Sequence, residues 1–83
     1  MLLLVEVADT SYRYDRYVKL LLYARARVRE VWIVDLRHDV IEIYRRPSGD
    51  GYTSFERVGL GATVSPAAFP DIVLDVDDEL LAR

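Results

Sequence analysis

The chain has 83 residues, of which 52% are hydrophobic and 30% charged, with a net charge of −3 and no cysteine. That length admits one domain at most, and the composition excludes a disordered chain. The lack of cysteine excludes disulfides and thiolate metal sites. A chain this short buries only about 60% of the surface its unfolded form exposes, which makes it a candidate for oligomerisation.

Residues 1–7 form an apolar run interrupted once, by Glu6. Without alternation the run reads as a strand buried on both faces. It is too short to span a membrane and lacks the basic lead and cleavage site of a signal peptide. A cytoplasmic protein with no membrane partner is expected. Asp9, Thr10 and Ser11 offer capping oxygens for a helix. From Arg13 to Ala26 the spacing is helical, with Tyr14, Val18, Leu21, Leu22 and Arg25 along one stripe. Glu30–Asp35 is a second, mostly apolar strand. The strand–helix–strand unit predicts a parallel pair with a right-handed crossover.

Residues 36–39 form a turn, and Val40–Arg46 is a third, partly alternating strand. Pro47–Gly51 is a loop, and Tyr52–Val58 a fourth strand antiparallel to the third. Pro66, Phe69 and Pro70 break regular structure. A short strand at Ile72–Leu74 and a short acidic helix at Val76–Leu81 close the chain. The expected class is α/β (α+β): a mixed sheet with a βαβ unit followed by an antiparallel hairpin. A first strand that begins at the N-terminus and is buried on both faces needs a neighbour on each side. Self-association as a homodimer through that edge is therefore expected.

The chemistry starts with Glu6 and Lys19. A carboxylate in a buried strand is costly unless it is paired or bound to a metal. Lys19 is the only lysine, against ten arginines, and lies in the helix that follows. It is a candidate partner for Glu6. An i,i+4 pair with Asp15 is the alternative partnership for Lys19. Residues 9–29 carry six basic and two acidic groups, whereas residues 71–83 carry five acidic and one basic. The first stretch favours phosphate and the second repels it. Trp32, Tyr44 and Phe69 read as core residues, Tyr23 as core or rim, and His38 as an exposed turn residue.

The segments Val5-Glu6-Val7-Ala8-Asp9-Thr10-Ser11, Tyr14-Asp15-Arg16 with Lys19, Tyr23-Ala24-Arg25 and Glu30-Val31-Trp32-Ile33-Val34-Asp35 resemble, in order, the Uma2 family. Val40–Arg46 is similar to the family's "v-x-v-Y-R" strand, and Ser65-Pro66 and Phe69-Pro70 continue the likeness over nearly all the chain. These bacterial proteins are described as restriction endonuclease-like, with the PD-(D/E)xK fold. The resemblance implies Mg²⁺- or Mn²⁺-dependent hydrolysis of DNA. It marks Glu6 as a metal-binding catalytic carboxylate and Lys19 as the catalytic lysine; Asp15, four residues before Lys19, is a candidate supporting residue that orients Lys19 or caps the helix. Metal chemistry of this kind uses hard oxygen ligands and a cation that neutralises phosphoryl charge. Arg13, Arg16, Arg27 and Arg29 are the candidate DNA contacts.

Family members are about twice as long, so residues 1–83 correspond to a single shortened domain, their C-terminal half. The family's "P-D" aspartate has no counterpart, because the chain begins in the glutamate strand. The family turn "A-G-V-P-E" is Ala26-Arg27-Val28-Arg29-Glu30 here. The expected outcome is a chain inactive or weakly active alone. A non-catalytic interaction module that dimerises through its sheet edge is the alternative.

Overall fold

The computed structural model describes residues 1–8, 13–78, 80 and 81; the side chains of Arg13, Tyr14 and Asp15 lie outside that description. The elements are β1 (Leu4–Ala8), α1 (Arg13–Arg25), β2 (Glu30–Asp35), β3 (Val40–Ser48), β4 (Gly51–Gly59), β5 (Thr63–Val64) and β6 (Leu74–Asp75). A four-stranded sheet runs in the order β1-β2-β3-β4, and β5 and β6 form a separate two-stranded ladder. β1 and β2 are parallel, joined by the crossover helix that a parallel pair needs, and β2, β3 and β4 are successively antiparallel. The expected mixed sheet with a βαβ unit and a following hairpin is thus present.

Each turn has a local cause. Asp35 Oδ1 accepts from the backbone N–H groups of Arg37 and His38 at 3.1 Å each, which folds the chain between β2 and β3. The β3–β4 hairpin closes over Gly49 and Asp50, with Ser48 opposite Gly51. Gly49 takes φ +60 at the first central position, where a two-residue hairpin of the II′ kind requires it. The paired positions skip Arg46, which has φ 58 and whose carbonyl accepts from Thr53 Oγ1 at 3.1 Å.

The sheet separates two apolar clusters. On one face Val31 and Ile33 pack with Val28, Leu20, Tyr23, Tyr44 and Tyr52 beneath α1. On the other, Trp32, Val34, Ile41 and Ile43 pack with Val64, Val76 and Leu81 from the C-terminal segment. β2 is buried along its whole length because both clusters share it.

Several expectations change. β1 is not buried on both faces: it is the sheet's edge, and Val5 and Val7 are 51% and 61% exposed. Only its helix-side face has a covering layer, so burial alternates along β1 although the sequence does not. The helix stripe is also displaced. Leu22 and Arg25 point to solvent, while Arg16, Lys19, Leu20, Tyr23 and Ala24 line the covered side. The residue expected to be core at Phe69 is exposed. The acidic C-terminal helix is absent among the described residues. Turns occupy that stretch, with Asp77 accepting from the N–H groups of Leu80 and Leu81. The late strand lies at Leu74–Asp75 rather than Ile72–Leu74, and β5 was not expected.

The end of α1 is a Schellman arrangement without its usual glycine. Val28 N–H donates to Tyr23 O and Arg27 N–H to Ala24 O, both at 3.0 Å. Val28 and Tyr23 share the same cluster, which supplies the accompanying apolar contact. Arg27 holds φ 61, a left-handed conformation that costs an L side chain roughly 1–2 kcal/mol. Arg27→Gly is therefore expected to stabilise the fold by about 0.5–1 kcal/mol, after allowing for glycine's greater unfolded entropy. A higher denaturant midpoint at unchanged m-value is the readout; a lower midpoint would count against the strain.

Candidate active site

The register across the sheet assembles charge under the helix. Glu6 lies opposite Ile33, and Ile33 opposite Glu42, so the two carboxylates flank one buried isoleucine on the α1 face. Asp35 stands two residues further along β2, on the same face. Three carboxylates on one sheet face would repel one another without cations. α1 supplies two, Arg16 and Lys19, which are three residues apart on the helix and so share a face.

Lys19 Nζ donates to Glu6 Oε1 at 2.6 Å, and Tyr23 OH donates to Glu6 Oε2 at 3.1 Å. Lys19 and Tyr23 are one helical turn apart, so the two oxygens of Glu6 meet two successive turns of α1. The Glu6 side chain is 22% exposed and that of Lys19 43%, so this pair borders solvent. α1 lies closest to β3 and β4, which leaves the β1 side of this face the more open.

Arg16 serves the inner pair. Its Nη1 donates to Glu42 Oε1 at 2.8 Å and its Nη2 to Asp35 Oδ2 at 3.4 Å. Tyr44 OH also donates to Glu42 Oε1, at 3.1 Å. Burial, followed by the charge of Glu42 and the hydrogen bond to it, pushes the Tyr44 phenol up to about 12. Tyr44 therefore stays a neutral donor at physiological pH. Asp35 is almost wholly buried, and His38 Nδ1 lies 2.9 Å from its Oδ2. Burial pushes the Asp35 carboxyl up. Its hydrogen bonds with the His38 ring and backbone, and the charges of His38 and Arg16, outweigh burial and hold it below its ordinary value.

Of the residues singled out in the sequence, Glu6 and Lys19 meet directly. Arg16 is engaged by Glu42 and Asp35, on the inner side of the helix. Arg27 and Arg29 lie elsewhere, beside Arg45 and Arg46. The side chains of Arg13 and Asp15 lie outside the described residues. His38 is half-exposed as expected, but it also contacts Asp35. Glu42, Asp35 and Tyr44 were not assigned to the site from sequence. Glu42 had a usable signal: like Glu6, it is a lone carboxylate inside an apolar strand.

A Mg²⁺ ion takes six oxygen ligands, several of them water, with one or two carboxylates from protein. Among the described residues no group of three or more His, Cys, Asp or Glu side chains could hold a metal. Both oxygens of Glu6 already accept from the helix, and Asp35 and Glu42 are held by Arg16. The described side chains alone do not fit a divalent metal.

The depressed Asp35 value predicts a pH dependence. Its contribution to stability is complete above the unfolded carboxyl value of about 3.9 and is lost as pH falls through the lower folded value. Stability is expected to fall over that acidic range, with a shallower fall in Asp35→Asn, measured by urea titration at a series of pH values. Equal slopes for both proteins would remove Asp35 from the account.

No helix among the described residues is long and apolar enough to cross a membrane. No curated protein and no solved structure matches the chain. The sequence profile of the Uma2 family, described as "Putative restriction endonuclease", matches residues 1–77. With that match over nearly its whole length, the chain belongs to the Uma2 family.

Proposed function

We propose that the chain is a cytoplasmic DNA-phosphodiester hydrolase domain of the Uma2 type whose reactive face is the Glu6–Lys19 pair, and that by itself it does not cleave DNA efficiently. The observation behind this reading is the 2.6 Å contact between Lys19 and Glu6 at the solvent border of the helix-covered face. A lysine there places a positive charge where a phosphoryl group would carry negative charge. Tyr23 fixes the second oxygen of Glu6, so the carboxylate is held in one orientation. Mg²⁺ or Mn²⁺, the cofactor the family resemblance implies, would need a further carboxylate beside Glu6, from outside the described side chains or from a second chain. Arg27 and Arg29 are the proposed contacts to the DNA backbone.

Nicking of supercoiled plasmid in Mg²⁺ or Mn²⁺ is the sensitive test. The purified chain is expected to give trace nicking at most, lost in Glu6→Gln and in Lys19→Met. Robust cleavage abolished by Glu6→Gln would overturn the inactivity and keep the site. Robust cleavage that survives Glu6→Gln would remove the site itself.

A second reading, an interaction module that dimerises through its sheet edge, is favoured by one feature. β1 pairs only with β2 among the described residues and exposes Val5 and Val7 beside Met1 and Leu2. An unpaired edge of this kind is a template for another strand. Sedimentation at tens of micromolar is expected to show a dimer that Val5→Lys with Val7→Lys dissociates. A monomeric wild-type chain at that concentration would count against the edge.

A further inference from the structure

At the other end of β2, and on the sheet face away from α1, a second charged assembly is built around Glu30. Glu30 lies opposite Arg45 in the β2–β3 ladder. It is fully buried and satisfied: its Oε2 accepts from Arg45 Nε at 2.7 Å and from Trp32 Nε1 at 2.8 Å, and its Oε1 from Ala67 N–H at 2.8 Å. Arg45 Nη2 donates to Ser65 O at 2.8 Å. Glu30 and Ser65 fix the Arg45 guanidinium through Nε and Nη2, and its remaining nitrogen, Nη1, stands 3.9 Å from the exposed carboxylate of Glu56.

Arg45 is the fixed member of an open basin of about 670 Å³ that it lines with Arg27, Arg29, Arg46, Pro47 and Ala67. Arg27, Arg29 and Arg46 are exposed, and among the described residues no carboxylate pairs with them. Two of the three stand on left-handed backbone, Arg27 at φ 61 and Arg46 at φ 58. Arginine has no preference for that conformation, and Arg27 fills a position where glycine is the usual occupant. Three exposed arginines without a carboxylate partner, beside an Arg45 whose charge Glu30 answers, repel one another around one hollow and call for an anion. The chain as a whole is negative, so the basin is a local exception to its field.

We propose that this basin is a phosphate-binding site, in which Arg45 is the preorganised floor and Arg27, Arg29 and Arg46 close around the anion. The planar forks of arginine match phosphate oxygens two at a time, which a cluster of lysines would not do. The volume accommodates a phosphate or diphosphate group with its immediate substituent. The basin lies on the opposite sheet face from Glu6 and three residues further back along β2, about 10 Å at strand rise. The inference does not rest on the nuclease reading: phosphate is held here whether or not the Glu6 face cleaves DNA.

Calorimetric titration of the purified chain with inorganic pyrophosphate tests this without any cleavage readout. Binding is expected, weakened roughly tenfold by Arg27→Gly and again by Arg46→Gly. Both substitutions relieve left-handed backbone while removing a cation, so a loss of binding with raised or unchanged stability cannot be ascribed to misfolding. Arg57→Ala removes the same charge from the other sheet face and is expected to change affinity by less than about twofold, because exposed charges at that range are screened. A short DNA duplex that displaces pyrophosphate identifies a nucleic-acid backbone as the source of the phosphate. A nucleoside diphosphate that displaces it where the duplex does not identifies a free nucleotide. Absence of pyrophosphate binding, wild-type affinity in both glycine variants, or an equal loss in Arg57→Ala would each overturn the proposal.

Discussion

The fork of Arg16 between Asp35 and Glu42 is the constraint on which the helix-covered face depends. It ties α1 to β2 and β3 at once and sets the rotation of the helix over the sheet. Once Arg16 is fixed inward, Lys19 and Tyr23 follow on the same side three and seven residues later and fall over Glu6. A buried ion pair is weak evidence for net stability, because desolvating its charges offsets much of the attraction. Removing one partner is another matter. Without Arg16, Asp35 and Glu42 would keep their neutral donors but lose their shared cation, at a cost of up to about 3–5 kcal/mol, against a total of roughly 4–12 kcal/mol for a chain of this size. The bridge thus selects one helix orientation more than it deepens the fold.

The same device recurs on the opposite face. Glu30 is buried, answered by Arg45, Trp32 and the backbone of Ala67, and it joins β2 and β3 to the segment leading out of β5. Because side chains alternate along a strand, a one-residue slip between β2 and β3 would move Arg45 to the wrong face and strand Glu30. Each apolar cluster is small. A small core of aliphatic residues leaves register and orientation weakly determined, and two satisfied polar networks remove that freedom.

Most of the architecture was legible because it rests on local signals. Apolar runs bounded by charge marked β2 and β3, Pro47-Ser48-Gly49-Asp50-Gly51 marked the hairpin, and the helix between two strands dictated a parallel pair. Glu6 and Lys19 were legible by contrast, as one carboxylate in an apolar strand and one lysine among arginines. What was not legible depended on layers. The burial of β1 turned on whether a second layer covers its outer side, which no local pattern reports. The helix stripe was misplaced because Arg16 and Lys19 face inward toward carboxylates, so polarity no longer marked the solvent side. Glu30 and Asp35 looked like charged strand boundaries. Only the cross-strand register shows that each is enclosed by its partners.

Trp32 gives the Glu30 network an optical handle. It is the only tryptophan in the chain, is 3% exposed, and donates its indole N–H to the carboxylate that holds Arg45. Indole emission is sensitive to the polarity and hydrogen bonding of its surroundings, so the tryptophan emission of this domain, excited at wavelengths its six tyrosines do not absorb, issues from the underside of the arginine basin. A change in how Arg45 loads Glu30 would alter the colour and yield of that light without any label, whereas the Glu6 face, across the sheet, would remain dark to it.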